Sequence, residues 1–214
     1  RNVLASELER AIATSRVVQI RGLPGSGKSV LLRRRAEEEL TQGPVLLLKP
    51  GRLEGTGWVS FAQAHGLSDA PLSDLLVEIG ATGSSTLYID GIDRIERKHQ
   101  PIILDLIHAI LETPELDNWR IVVSLRDSGI EPLRNWLGKA LDSTGVSTVD
   151  VNALDDIEAD LLARAKPHLR SLLFGAPEVR EIVRRPFFAK VLDQTFGSVA
   201  GDDAFQPQSE IDLI

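Results

Sequence analysis

Gly22-Leu23-Pro24-Gly25-Ser26-Gly27-Lys28-Ser29 meets the pattern G-x-x-x-x-G-K-[ST] without a mismatch. Its surroundings are those the pattern requires. Val17-Val18-Gln19-Ile20 precedes it, a short β-branched run that reads as a buried strand. Val30-Leu31-Leu32 and a charged run of good helix formers follow. Strand, glycine loop and helix in that order make a P-loop. Gly22, Gly25 and Gly27 allow backbone conformations that side chains resist, and let the chain approach a ligand closely. Successive N–H groups at a helix N-terminus then form an anion nest. Lys28 is placed to reach the β- and γ-phosphates of a nucleotide, and the Ser29 hydroxyl to complete the shell of Mg²⁺. The nucleotide-contacting set is therefore Gly22, Leu23, Pro24, Gly25, Ser26, Gly27, Lys28 and Ser29, with Val30 next in line.

Working outward, 214 residues suffice for one good core, or a domain with a smaller lid. A net charge of −7 argues against a dedicated nucleic-acid module, which would carry a basic face. With no cysteine, disulfides, zinc–thiolate sites and thiol chemistry are excluded. No apolar run approaches the ~20 residues of a membrane helix, and no signal peptide is visible. A reducing cytoplasm is the expected location. A start at Arg1 and a capped-helix pattern beginning at Ser209 are what a piece of a longer protein would have.

Residues 2–14 have the spacing of an amphipathic helix, with Val3, Leu4, Leu8, Ala11 and Ile12 near one face. The helix after the P-loop is expected to run to about Gln42. On it, Arg33-Arg34-Arg35 and Glu37-Glu38-Glu39 read as a solvated face of i,i+4 pairs. Val45–Leu48 is an unbroken apolar run and is expected to be a strand buried on both faces. Residues 49–57 form a glycine-rich loop. Ser60–His65 and Pro71–Ile79 have helical spacing.

Thr86-Leu87-Tyr88-Ile89-Asp90-Gly91-Ile92-Asp93 is a second chemical signature. An acid at the carboxyl end of an apolar strand is the Walker B pattern, and phosphates bind at that edge of an open α/β sheet. Asp90 is assigned to Mg²⁺ together with Ser29. Asp93, past the strand end, is placed to polarise an attacking water. Pro101–Leu111 carries an apolar stripe of Ile103, Leu106, Ile107 and Ile110. Arg120–Leu125 is a further strand with Arg126 directly at its end. Were this strand to lie between the first and third, Arg126 would point at the γ-phosphate. Lys28, Asp90, Asp93 and Arg126 make up the expected catalytic set.

Glu131–Leu141 reads as a helix and Val146–Val151 as a fifth strand. Beyond it the strand pattern stops. A helix is expected to open at Asp155 and Asp156, with Ile157, Leu161, Leu162 and Ala165 as its apolar residues, and Pro167 to interrupt it. The expected division is an α/β domain over 1–151, a helical lid over 152–196, and a linker and the start of another domain over 197–214. The four histidines have no metal spacing, and His108 is expected to bond locally to Asp105. Trp58, Trp119 and Trp136 read as packing anchors.

Together, Gly22–Ser29, Leu87–Asp93 and Val122-Val123-Ser124-Leu125-Arg126 resemble the signal-transduction NTPases with numerous domains, the STAND class, and its NACHT-like branch in particular. Gly91 and Asp93 fit that class's small residue and second acid, while Arg94 stands where a glutamate often follows. Arg126 falls on the sensor arginine. Arg185-Pro186-Phe187-Phe188 looks like the segment carrying the lid proline, which puts Pro186 at the base side of the nucleotide. The resemblance implies a P-loop NTPase fold of the AAA+/STAND type, with a five-stranded parallel sheet in the order 5-1-4-3-2 and a helical lid. It also implies ATP or ADP with Mg²⁺ as cofactors and slow ATPase turnover. The partners it implies are effector and sensor domains of the same chain, and copies of itself on activation, as in bacterial antiviral defence. Nucleic acid and membrane are not indicated as partners. The competing reading is an AAA+ or origin-binding type of ATPase, a motor or remodeller that acts on DNA. A small-molecule kinase lacks an acceptor-site signature here, and a GTPase lacks the Asn-Lys-x-Asp motif.

Overall fold

The computed structural model describes residues 1–67, 71–130, 133, 135–138 and 145–196. Strands and helices alternate, as a parallel sheet with helical crossovers requires. Helix α1 spans Asn2–Thr14, strand β1 Val17–Arg21 and helix α2 Lys28–Glu39. Strand β2 (Val45–Leu48) and helices α3 (Trp58–Ala64) and α4 (Leu72–Gly80) follow. Next come β3 (Ser85–Ile89), α5 (Gln100–Glu112), β4 (Trp119–Ser124) and β5 (Val146–Asp150). All strand pairs are parallel and the order is β5-β1-β4-β3-β2, the order expected. Of the helix expected over 131–141, residues 133 and 135–138 are helical, and the other positions lie outside the described residues. So do the expected linker and following helix over 197–214.

Period-2 alternation sends odd-numbered strand residues to one face. Val17, Leu87, Ile89, Ile121 and Val123 meet Ile102, Ile103, Leu106, Ile107 and Ile110 of α5, with Trp119 fully buried among them. Each such side chain contributes about 2 kcal/mol by leaving water. Because β4 lies between β1 and β3, its carboxyl end is set between theirs, and this is what positions the site.

Several expectations are corrected. Strand β2 is an edge strand, so it is only partly buried and Leu47 is exposed. An apolar run cannot by itself distinguish an edge from a centre. Helix α2 ends at Glu39 rather than Gln42, with Gln42 and Gly43 N–H groups turning back to the Glu39 carbonyl. Its charged run is only half a solvated face. Arg34 pairs with Glu38 at 3.0 Å in the open, whereas Arg35 and Glu39 turn inward. There Glu39 accepts a hydrogen bond from the buried Tyr88 hydroxyl at 2.7 Å. Burial and the adjacent carboxylate push the Tyr88 phenol well above its ordinary range. Asp105 accepts a hydrogen bond from the Trp58 N–H, at the start of α3, rather than serving His108.

Contacts divide the chain into two units. Asn2–Arg21 with Lys28–Asp150 form the sheet unit; Arg1, Gly22–Gly27 and the residues from Val151 form the other. The division falls inside the P-loop sequence. In the second unit, α6 spans Asp156–Ala165, α7 Arg170–Leu173, α8 Pro177–Val183 and α9 Pro186–Phe196. Asp155 caps α6 by accepting from the Glu158 N–H at 2.7 Å, while Glu158 accepts from the Asp155 N–H at 3.3 Å. Pro167 opens a new turn after α6, as expected. The buried face of α6 is not the one that carries its largest apolar residues. Ala159 and Ala163 face Leu169, Leu173, Val179 and Val183, while Ile157 and Leu161 are 74% and 60% exposed. Alanine permits close helix approach, and a residue's size did not decide which face was inward.

Candidate functional site

Glycine geometry shapes the loop. Gly22, Gly25 and Gly27 all have positive φ, at 147°, 79° and 101°. A Cβ on Gly22 would run into the Val151 carbonyl, and one on Gly25 would crowd the Phe187 and Phe188 side chains. The Phe187 N–H donates to the Gly25 carbonyl at 3.1 Å, which ties the first turn of α9 to the loop's apex. Pro186 lies against Gly27, where its Cγ would be 4.0 Å from an added Cβ. Pro186 also lines a cavity of about 530 Å³ within this unit, with Leu154, Leu161, Leu162, Leu169 and Ala189 as apolar walls. Ser26 is buried, and its Oγ has no hydrogen-bond partner among the described residues. Leu23 is exposed, as is Pro24.

In the sheet unit, Lys28 and Ser29 open α2 and Val30 is exposed beside them. The Ser29 hydroxyl donates to Asp90 Oδ1 at 2.8 Å, bringing together residues far apart in sequence. Asp90 sits where β3 ends, and Gly91 takes φ +72°, so that a Cβ there would collide with the Arg94 guanidinium. The Arg94 end can swing aside, but the left-handed φ itself favours glycine at that turn. Burial lowers the Lys28 ammonium below its ordinary range; Asp127 and Asp93 oppose this, and Arg126 and Arg94 add to it.

Arg126 directs its Nε to Asp93 Oδ2 at 2.6 Å rather than standing apart. Asp93 is 3% exposed at its side chain and Arg126 43%. Asp93 Oδ1 is buried without a hydrogen-bond partner among the described residues. Gly129 makes the pairing possible, since any side chain there would strike Asp93. Thus two of the expected catalytic groups engage each other. Ser124, at the end of β4, was not singled out by sequence: its hydroxyl donates to Asp90 Oδ1 at 2.7 Å and accepts the Gly91 N–H at 2.8 Å. A lone hydroxyl closing an apolar strand was the signal available.

No family model and no curated protein sequence matches the chain. Solved structures do. A Walker-type ATPase of Pyrococcus abyssi has a TM-score of 0.64 at 17% identity, covering 94% of this chain and 68% of that one. The ORC2 protein of Aeropyrum pernix, in ADPNP–ADP complexes, scores 0.54 at 15% identity over 99% of this chain and 65% of its own. AMPPCP-bound DnaA of Aquifex aeolicus scores 0.51 at 14% identity over 90% and 60%. The chain has an α/β P-loop NTPase fold of the AAA+ type. In this fold it spans about two thirds of the length of the structures it matches. No helix among the described residues is long and apolar enough to cross a membrane.

The residues present fit a magnesium nucleotide. Ser29 and Asp90 offer hard oxygen donors, which Mg²⁺ takes sparingly, keeping waters and phosphate oxygens for the rest. Among the described residues there is no cluster of three or more acidic, histidine or cysteine ligands of the kind a dedicated all-protein cage would need. The buried, unpartnered Ser26 Oγ beside the three positive-φ glycines is a polar atom left for an anion.

Proposed function

We propose that this chain is an ATP- and ADP-binding switch module of a larger multidomain NTPase. In this reading it binds Mg-ATP through Gly22–Ser29 and Asp90, hydrolyses it slowly, and controls assembly of copies of the full protein. The observation that carries the reading is the engagement of Arg126 with Asp93. An arginine assigned to the γ-phosphate and an acid assigned to the attacking water neutralise each other, which favours retention of nucleotide over turnover. Asp93 and Arg126 are proposed to act only once separated. When bound, Mg²⁺ would neutralise charge on the phosphates. Lys28 would contact them, Ser29 and Asp90 would orient the ion, and Pro186 is proposed for the base side of the nucleotide.

A second reading has equal support: an AAA+ or origin-binding type of ATPase acting on DNA. The similar structures include a DNA replication initiation factor, with a TM-score of 0.58 at 14% identity. DNA binding that weakens steeply with salt would favour it.

The first test is to purify the chain natively, denature it and chromatograph what is released. ADP at near one per chain is the expected result for a retaining switch. Turnover of tens per second by a monomer, well inside the roughly 1–1,000 s⁻¹ of ordinary enzymes, would overturn the switch. Failure to bind any adenine nucleotide would overturn both readings.

Lys28 provides a pH signature. In the free chain burial lowers its pKa, so the ammonium loses its proton at lower pH than an exposed lysine. Phosphate charge against it favours the protonated form and raises the pKa again. Nucleotide binding is therefore expected to take up protons at alkaline pH, and less so near neutrality. Calorimetry in two buffers of different ionisation enthalpy measures this; proton release on binding would contradict it.

A further inference from the structure

We infer that Ser124 is a positioning residue that holds Asp90 in the orientation from which it serves Mg²⁺. The inference rests on the nucleotide-binding reading above. Ser124 is 1% exposed and has two bonds that lock it in place. It accepts from the Gly91 N–H and donates its own proton to Asp90 Oδ1. Gly91 begins the left-handed turn that follows β3, so Ser124 joins the end of β4 to both the acid and the turn behind it. Asp90 Oδ1 thereby receives two hydroxyl protons, one from Ser29 on α2 and one from Ser124 on β4. Ser29 lies on the helix assigned to the nucleotide and is expected to turn its lone pairs to the metal. Ser124 has no such second duty. Its bond persists whatever Ser29 does, and keeps the carboxylate from rotating in a site where it is almost wholly enclosed.

Removing the hydroxyl leaves the buried Gly91 N–H without its acceptor and Asp90 Oδ1 short of one donor. Residues that orient metal ligands in this way typically govern metal affinity by about 10–100-fold. The consequence is specific: the metal-dependent part of nucleotide affinity falls, and the metal-independent part does not.

The experiment measures the ATP dissociation constant with Mg²⁺ and with EDTA for wild type, Ser124→Thr and Ser124→Val, and titrates Mn²⁺ into each nucleotide complex by electron paramagnetic resonance. Thr and Val share a shape and differ by the hydroxyl, so packing effects cancel between them. Wild type and Ser124→Thr are expected to gain affinity from Mg²⁺ alike. In Ser124→Val that gain, and Mn²⁺ affinity, should fall by about 10-fold or more, with EDTA affinity unchanged. Equal metal dependence in Thr and Val overturns the assignment, and so does a Thr variant that loses it. If Ser124→Val does not fold, Ser124→Ala takes its place, lacking the hydroxyl without added bulk: a fall of about 10-fold or more in the Mg²⁺-dependent gain supports the assignment and an unchanged gain overturns it. A wild-type chain whose ATP affinity ignores Mg²⁺ overturns the parent reading, an outcome distinct from a metal-dependent wild type with indifferent variants.

Discussion

Lys28→Ala is expected to weaken ATP and ADP binding by at least about 100-fold, the consequence of removing a buried cation from a polyphosphate contact. Lys28 is mostly enclosed at the start of α2, and burial already disfavours its charge in the free chain. Asp127 and Asp93 offset part of that cost in the free chain, so its replacement has little net effect on the ligand-free fold. Thermal unfolding of the ligand-free variant should stay close to the wild-type temperature, while the stabilisation by added nucleotide vanishes. The two measurements together separate loss of a contact from loss of the fold. Affinity within threefold of wild type would mean that the phosphates do not reach Lys28.

A second large effect is expected for Arg126→Ala. The Asp93 carboxylate is almost wholly buried, one oxygen is held by Arg126 and the other has no hydrogen-bond partner among the described residues. Taking away one partner of a fully buried pair costs about 3–5 kcal/mol. Arg126 is 43% exposed and the Lys28 ammonium also acts on Asp93, so water and that cation screen part of the charge and the loss is about 1–2 kcal/mol. For a domain of this size that lowers the unfolding temperature by about 5 °C. Asp93→Asn removes the charge that suffers, so the double variant should be less destabilised than the sum of the single ones. Additive losses, or an Arg126→Ala chain as stable as wild type, would show that the ion pair does not contribute. If the pair also restrains turnover, Asp93→Asn frees Arg126 without restoring hydrolysis, since the acid assigned to the water is gone.

Legibility followed the physics that each feature depends on. The P-loop and the strand before it were readable because glycine conformational demands and β-branched runs are local. Ser29 and Asp90 were each recognisable by type, and the sheet order that brings them within 2.8 Å came from family resemblance. What escaped reading depended on tertiary neighbours. Four apolar residues at Val45–Leu48 look the same at the centre or the edge of a sheet, and β3 on one side alone made them an edge. Ile157 and Leu161 are larger than Ala159 and Ala163, yet the alanines face inward because the helices of that unit pack closely. The pairing of Arg126 with Asp93 required knowing that Gly129 leaves room beside the acid. Ser124 was hidden in a strand whose other residues are apolar, and its role exists only because β4 lies next to β3.

The strand order has a consequence for how the chain comes into being. Both neighbours of β1 arrive late: Val17 pairs with Ile121 and with Val146, each more than about a hundred residues downstream. As the chain leaves the ribosome, β2 can meet β3 early, but β1 has nothing to pair with until β4 is complete. Until then Val17, Val18 and Ile20 are an unpaired, aggregation-prone edge, of the sort that chaperones bind. The glycine loop that follows has no fixed strand to spring from during that interval. Nascent chains ending before Trp119 thus carry the phosphate-binding sequence without the structure that uses it.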